Sequence, residues 1–363
     1  MAYLSCEWIE YRLVLDHWEL KFCCKPHSGN KGFVPICHFS GGSLPVETIR
    51  NEREKLRKLN NTKGADSPCG GCHYLKSGDW PELGGHALFN QVEISNFTIC
   101  NLRCNYCYTV LHEDWNFPSY AYKLGPVFND MIEKGYLHDQ TRIEWAGGEP
   151  TILENFEDLQ KMFIAHGYSQ TIFTNAVVFS EGIAQGLRSR KMSIVSSIDS
   201  GTPETYRKVK GRDYFHRVWL NLDRYIQTGG DLVIKYLVKD DNVQLKDLNG
   251  FLRLCRKYRV PMISIAPDNN EVSVNRVLDA ALKGAAYMAW KARRYGFRWE
   301  IQSDYFKPGH MELIHHYMHP LEIAKFKTHS WLAKRFTFLF KQPIKEQNPT
   351  SEEIKPEMVT GSW

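Results

Sequence analysis

The sequence has no long apolar run and little net charge. None of its apolar stretches approaches the roughly 18 uninterrupted residues that a membrane-spanning helix needs. The first residues include acidic side chains and no apolar core of a signal peptide. A net charge of +5, from 46 basic and 41 acidic residues, does not require nucleic acid or an anionic membrane as a partner. We therefore expect a soluble cytoplasmic protein.

Disorder and fibrous repeats are also excluded for the bulk of the chain. Apolar residues make up 43% and charged residues 24% of the 363 residues, which is close to the globular average. No internal repeat is visible. A chain of this length predicts two or three domains.

Cysteine is scarce in most of the chain and crowded at one end, where nine of the ten cysteines lie within the first 107 residues. In a reducing compartment, clustered cysteines bind metal or carry out redox chemistry more often than they form disulfides. Cys255 and Cys6 fit small buried hydrophobes instead. The groups at 69/72 and 100/104/107 stand among Gly, Asn and Arg, which favours a metal site.

Residues 89–270 alternate short β-branched runs with helical patterns. Such alternation predicts an α/β fold with a parallel sheet built by right-handed crossovers. The pattern alone allows a doubly wound sheet or an open partial barrel. The predicted strands are 92–95, 142–145, 171–174, 192–198, 231–238 and 261–266, and the predicted helices are 124–134, 153–165, 181–190, 203–209, 214–227 and 245–258.

The two ends of the chain differ from this core. Residues 1–88 predict a small, separate, cysteine-rich N-terminal domain with one or two strands and a charged helix. Residues 271–341 predict a helical C-terminal extension. Residues 342–363 are polar and contain three prolines, which predicts a disordered tail.

The loop after the first predicted strand carries Cys100, Cys104 and Cys107. Three thiolates at this spacing suit a compact soft-metal site. A closed zinc site needs a fourth ligand, for which His112 is available. A [4Fe–4S] cluster would be one cysteine short of its usual four, which leaves one iron open for a ligand. The carboxyl ends of parallel strands are also where ligands bind, so this position favours a catalytic cluster.

The same motifs resemble those of the radical S-adenosylmethionine (SAM) superfamily. The C-x3-C-x2-C spacing has Tyr106 before its last cysteine, and the second strand ends in the sequence WAGGEP at 145–150, similar to that family's GGEP motif. Strand three ends at Thr174-Asn175 and strand four at Ser197-Ile-Asp199, which are also similar to the family. The resemblance covers about residues 90–267 and implies a partial (β/α)6 TIM-like barrel.

The resemblance further implies roles for individual residues. Cys100, Cys104 and Cys107 would hold three irons of a [4Fe–4S] cluster, and SAM would chelate the fourth. Tyr106 would pack near the adenine, and Asn175-Ala176 departs from the family's common Asn-Gly. The residues implied to contact or position SAM are Tyr106, Gly147, Gly148, Glu149, Pro150, Thr174, Asn175, Ser197 and Asp199.

The implied reaction is the reductive cleavage of SAM to a 5′-deoxyadenosyl radical, which abstracts hydrogen from a small-molecule or peptide substrate. A flavodoxin or ferredoxin would supply the electron. Substrate oxidation aided by a second cluster is one outcome, and peptide maturation within the same superfamily is another. A non-catalytic iron–sulfur electron carrier is the alternative from a different class, but it would leave the GGEP-like motif unexplained.

The N-terminal cysteines predict a second metal site. Their order resembles part of the SPASM or twitch domains, which carry auxiliary clusters, although those domains normally follow the barrel. We predict Cys24, Cys37, Cys69 and Cys72 as ligands, with Cys23 as the alternative to Cys24 because neighbours on a strand point to opposite faces. The site could hold a second [4Fe–4S] cluster, a structural zinc ion or no metal.

Overall fold

The computed structural model describes residues 3–23, 34–72, 74–80, 89–111, 120–268, 279–306 and 308–328. Within these ranges the chain forms an α/β fold around one ten-stranded sheet, with a separate two-stranded sheet. The strands are β1 (Tyr3–Ser5), β2 (Arg12–Leu15), β3 (Glu19–Cys23), β4 (Val34–His38), β5 (Lys76–Gly78), β6 (Phe89–Ile94), β7 (Leu137–Trp145), β8 (Ser169–Phe173), β9 (Met192–Ser197), β10 (Asp231–Val238), β11 (Met262–Pro267) and β12 (Trp299–Ile301).

Helices follow most of these strands, and short 3-10 turns connect some of them. The helices are α1 (Glu7–Tyr11), α2 (Val46–Lys63), α3 (Tyr108–Leu111), α4 (Leu124–Glu133), α5 (Phe156–Ala165), α6 (Glu181–Arg188), α7 (Pro203–Lys210), α8 (Phe215–Ile226), α9 (Leu245–Lys257), α10 (Asp279–Arg294), α11 (Pro308–Tyr317) and α12 (320–328). The 3-10 helices are Gly64–Asp66, Pro150–Ile152 and Ser303–Tyr305.

The centre of the large sheet is parallel, and its strands β6 to β11 stand side by side in chain order. A doubly wound sheet reverses its strand order at a switch point, whereas a barrel keeps chain order. The predicted strands and helices of this region all form, with ends within a few residues of their predicted bounds. The prediction of an α/β partial barrel is confirmed.

The N-terminal strands extend this sheet instead of forming a domain of their own. Strand β2 pairs in parallel with β6, Leu13 opposite Val92, and β3 and β4 continue the sheet in antiparallel order. One hydrophobic core includes Leu13 as well as Trp145, which ends β7 and packs against Phe156 of α5. Among the described strands, β1 and β5 alone pair outside the large sheet. The predicted separate domain over residues 1–88 is therefore not what the structure has.

The described parts of the C-terminal region, residues 279–306 and 308–328, contain three helices and also a strand. The rest of the predicted extension over 271–341 lies outside the described residues. The three-residue β12 pairs in parallel with β11, Trp299 opposite Ile263, and makes the other edge of the sheet. So short a strand carries no periodic signal in the sequence. The predicted tail at 342–363 lies outside the described residues. Among the helices that the structure describes, none is long and apolar enough to span a membrane.

A buried ion-pair group joins the N-terminal strands to the core. The guanidinium of Arg12 on β2 donates to the carboxylate of Glu93 on β6, and its Nη2 lies 3.2 Å from Oε2 of Glu144 on β7. The same guanidinium lies 5.1 Å from the centre of the Trp8 ring. Because Arg12 and Glu93 are both buried, each charge depends on the other for compensation.

We predict that Arg12→Ala lowers the free energy of unfolding by about 3–5 kcal/mol, because it leaves a buried carboxylate without its cation. Arg142→Ala is the matched control. Arg142 is exposed on the neighbouring strand β7, and its loss should change stability by no more than about 0.5 kcal/mol. Urea unfolding of the reduced protein measures both variants. Equal losses of unfolding free energy in the two variants would contradict the conclusion that Arg12 joins the N-terminal strands to the core.

Candidate functional site

The cysteine loop follows β6 and is held in place by the end of α7. The backbone N–H of Arg103 donates to the carbonyl of Lys210 at 3.0 Å, and that of Asn105 donates to Val209 at 2.9 Å. Helix α7 ends at Gly211, whose φ of +68° suits glycine. A Cβ at Gly211 would lie 2.4 Å from the carbonyl oxygen of Arg103. The loop and the helix end therefore pack backbone against backbone.

The three cysteines of this loop are free and partly exposed. Burial is the main reason that the pKa of Cys100 is raised to about 12, and the nearby charges of Glu149, Cys104 and Cys107 contribute to the same rise. The Sγ of Cys107 lies 3.1 Å from Oγ1 of Thr109. Among the described residues, no three His, Cys, Asp or Glu side chains already converge as a closed metal site. The soft donor set itself fits an iron–sulfur cluster.

The two glycines after β7 lie against the segment that leads into the cysteine loop. The N–H of Gly148 donates to the carbonyl of Phe97 at 3.0 Å, and that of Glu149 to Ile99 at 2.8 Å. A Cβ would lie 2.6 Å from the Phe97 oxygen at Gly147 and 2.1 Å from the Ile99 oxygen at Gly148. The glycines are thus required by close packing within the protein, whereas the sequence interpretation attributed them to the approach of SAM alone.

The carboxylate of Glu149 is fully buried and joins the ends of two strands. Its Oε1 accepts from the hydroxyls of Thr151 at 2.6 Å and Thr174 at 2.8 Å. Its Oε2 accepts from the backbone N–H of Asn175 at 2.7 Å. Burial raises the pKa of Glu149, and these hydrogen bonds oppose that effect. Pro150 is also buried and begins the following 3-10 turn, so Glu149 and Pro150 fix this loop.

The polar groups of Thr174 and Asn175 form hydrogen bonds within the protein. The amide of Asn175 donates to Oδ1 of Asn101 at 2.7 Å and lies 3.7 Å from the Sγ of Cys100. Its Oδ1 accepts from the N–H of Val177 at 2.9 Å. These contacts connect β8 to the cysteine loop. They give both residues a positioning role here, while contact with SAM stays a prediction.

The carboxylate of Asp199 is fully buried beneath Tyr106. Its Oδ2 accepts from the hydroxyl of Tyr106 at 2.6 Å and from the ammonium of Lys210, and its Oδ1 accepts from the N–H of Leu237 at 2.7 Å. These three contacts engage the carboxylate of Asp199 and fix the hydroxyl of Tyr106. The implied contact of Asp199 with SAM stays a prediction. Ser197 is partly exposed at the end of β9.

Sequence reasoning missed two lysines at this site. Lys210 is buried, and its Nζ lies 5.0 Å from the centre of the Tyr106 ring; Lys239 lies 5.5 Å from the same centre. Burial acts to lower the pKa of Lys210, but Asp199 and Cys104 outweigh it and raise the pKa. Lys239 pairs with Asp268 at 2.6 Å. Opposite charges at the ends of neighbouring strands β10 and β11 were the available signal for that pair.

Comparison with known proteins agrees with this geometry. Residues 94–249 match the family model of the Radical SAM superfamily. The matched range contains every residue predicted for the core cluster and for SAM, and over this range the resemblance is confirmed at the level of the superfamily. The N-terminal cysteines up to Cys72 lie before this range, and their resemblance to SPASM domains stays a prediction.

The relatives with this core carry the name GTP 3′,8-cyclase. The protein of Yersinia pestis is 25% identical over 166 residues, which cover 45% of this chain and 50% of that protein. The protein of Vibrio vulnificus (strain YJ016) is 22% identical over 166 residues, covering 45% and 48%. The chain spans about half the length of these relatives. The family match and these names indicate an enzyme.

Solved structures with a similar shape are more distant. Native anSMEcpe with bound AdoMet is 17% identical with a TM-score of 0.47, over 58% of this chain and 63% of that chain. Streptococcus suis SuiB bound to precursor peptide SuiA is 15% identical with a TM-score of 0.46, over 71% and 54%. At this degree of similarity they do not identify a function or a substrate.

We predict that Gly148→Ala destabilises the protein and lowers its iron content after reconstitution. The new methyl group must displace the backbone at Ile99, next to the first cysteine of the loop. Gly125→Ala is the control, because Gly125 lies in α4 with nothing within 4 Å of its added Cβ, and alanine favours helices. Thermal unfolding and iron analysis measure both. An unchanged iron content in Gly148→Ala would show that the packing at Gly148 does not affect the cysteine loop.

We predict that Lys210→Met lowers the free energy of unfolding by about 3–5 kcal/mol, because Asp199 keeps a buried charge without its cation. The double variant Asp199→Asn/Lys210→Met should lose less than the sum of the two single changes. Asparagine tolerates the positive φ of 56° at position 199. Lys208→Met, on the exposed side of the same helix, should have little effect. Strict additivity would mean that the two side chains do not interact.

Proposed function

We propose that the chain is a radical SAM enzyme that binds a [4Fe–4S] cluster through Cys100, Cys104 and Cys107 and cleaves SAM reductively beside it. The observation that carries the proposal is the placement of three cysteines, none of them in a disulfide, on the loop after the first strand of the core. When bound, the cluster and SAM would supply a 5′-deoxyadenosyl radical for hydrogen abstraction. The protein's part is to hold the two groups and to exclude water.

The cluster ligands depend on two supports. The end of α7 holds the loop at Arg103 and Asn105. The amide of Asn175 lies 3.7 Å from the Sγ of Cys100, and hydrogen bonds to the sulfurs tune such clusters. Three cysteines in the loop leave one iron of a cluster without a thiolate, and this open position suits SAM.

We propose SAM contacts at residues of the site that are accessible from solvent. Residues 146–148 are partly exposed while Glu149 and Pro150 are buried, so the backbone of 146–148 is the part of this loop that SAM can reach. We propose that Tyr106 offers its ring to the adenine. Its hydroxyl is fixed by Asp199 and Lys210, which orients the ring in advance. Ser197 is proposed to contact the ribose or methionyl end.

The substrate and the electron donor lie beyond the matched core. The relatives' names point to GTP, and SuiB is described with a precursor peptide. Those names belong to proteins of which this chain covers about half, so the proposal stops at radical formation and leaves a small molecule or a peptide as substrate. A flavodoxin or ferredoxin is the proposed reductant. An electron carrier would need neither an open iron nor a site for SAM.

The test is whether SAM cleavage depends on the cysteine loop. We predict that Cys104→Ala loses the core cluster and forms no 5′-deoxyadenosine from SAM under reducing conditions, since two cysteines cannot hold it. Cys255→Ala removes a buried thiol from α9 and should keep both the iron and the activity. Wild-type rates in Cys104→Ala would overturn the ligand assignment. An iron-loaded wild type that leaves SAM intact would favour the electron carrier.

A further inference from the structure

Four cysteines from three parts of the N-terminal segment line one small cavity. Cys6 lies just before α1, Cys23 ends β3, and Cys69 and Cys72 lie in the turn after the 3-10 helix Gly64–Asp66. The remaining lining is Trp8, Ile9, Val34, Pro68, Tyr74 and Leu75. None of the four forms a disulfide. This cavity is lined by residues of the N-terminal segment alone and by none of the cysteines of the core.

The set that the cavity brings together differs from the predicted one. Cys37 is partly exposed on β4, opposite Leu20 in register, and its charged neighbour is Glu52 of α2. It does not line the cavity. Cys24 lies outside the described residues. Cys6, which the sequence interpretation assigned to core packing, takes the place that Cys37 was predicted to have.

The four thiols are near one another but are not arranged as in a loaded site. Cys6, Cys69 and Cys72 lie close enough to influence one another electrostatically. In the described residues they do not yet converge at metal-binding distance. Rotation about the Cα–Cβ bonds is therefore part of binding. Zinc–sulfur distances in such sites are about 2.3 Å.

The Cys69–Cys72 turn holds two cysteines close together, so that both can serve as ligands. The N–H of Cys72 donates to the carbonyl of Cys69 at 3.0 Å. Gly71 has a φ of +74°, and a Cβ at Gly70 would lie 2.0 Å from the carbonyl oxygen of Ala65. Both glycines are thus required by the turn. A pair of cysteines two residues apart, joined by two distant cysteines, is a common arrangement in four-cysteine zinc sites.

The size of the cavity decides between an ion and a cluster. The space between the thiols has room for about one atom of the size of a water oxygen. An iron–sulfur cube brings eight atoms, so it would require the surrounding Trp8, Ile9 and Leu75 to move apart. A single ion needs only the thiol rotations. We propose that Cys6, Cys23, Cys69 and Cys72 bind one zinc ion that ties β3, α1 and the Cys69–Cys72 turn together.

The experiment measures zinc and iron in the full-length protein and in variants. We expect about one zinc per chain in the wild type and in the Cys100/Cys104/Cys107→Ala variant, which should lose only iron. Cys6→Ser, Cys23→Ser, Cys69→Ser and Cys72→Ser should each lose the zinc. Cys37→Ser is the matched control and should keep it. Failure of the zinc site and failure of the core cluster therefore appear as losses of different metals.

A second measurement does not depend on the folding of the cysteine-to-serine variants. Cobalt(II) added in place of zinc to the Cys100/Cys104/Cys107→Ala protein should give the thiolate charge-transfer and ligand-field absorption of a tetrahedral four-sulfur site. Absence of that spectrum together with absence of zinc would overturn the site. Retention of about four irons per chain in this variant would show that the site holds an iron–sulfur cluster and not a zinc ion. Loss of zinc in Cys37→Ser would overturn the ligand set.

Discussion

The buried carboxylate of Glu149 holds together the parts of the protein that meet around the cysteine loop. It accepts hydrogen bonds from the residues that follow β7 and from the end of β8, while its own backbone N–H donates to the segment after β6. A charge buried this deeply is tolerable only when its hydrogen bonds are complete. The consecutive strand ends therefore cannot shift independently, and the loop at Cys100 inherits its position from them.

A second buried charge does the same on the other side of the loop. Asp199 and Lys210 pair beneath Tyr106, and Lys210 is also the last residue of the helix that holds Arg103. The cysteine loop is thus fixed between two polar groups whose desolvation cost the rest of the core must offset. Such preorganised surroundings suit a site that has to hold a reactive centre in one orientation.

Periodicity and short motifs in the sequence predicted the core well because both are local signals. Each of the six central strands is a run of β-branched residues, and WAGGEP lies at the end of one of them. The partners of Asp199 and the pairing of β2 with β6 depend on contacts between residues far apart in the chain, which no local pattern encodes. For the same reason Cys6 resembled a core residue: its neighbours Cys69 and Cys72 come close only through the fold.

The parallel pairing of β2 with β6 has a consequence for how the chain can be shortened. The N-terminal strands occupy what would otherwise be an open edge of the barrel sheet, and edges of unpaired backbone invite association between molecules. A fragment cut at the start of β6 would keep the whole matched core yet expose the N–H and C=O groups of Phe89–Ile94 along that edge. The matched core alone would therefore carry an open sheet edge, which β2 covers in the structure.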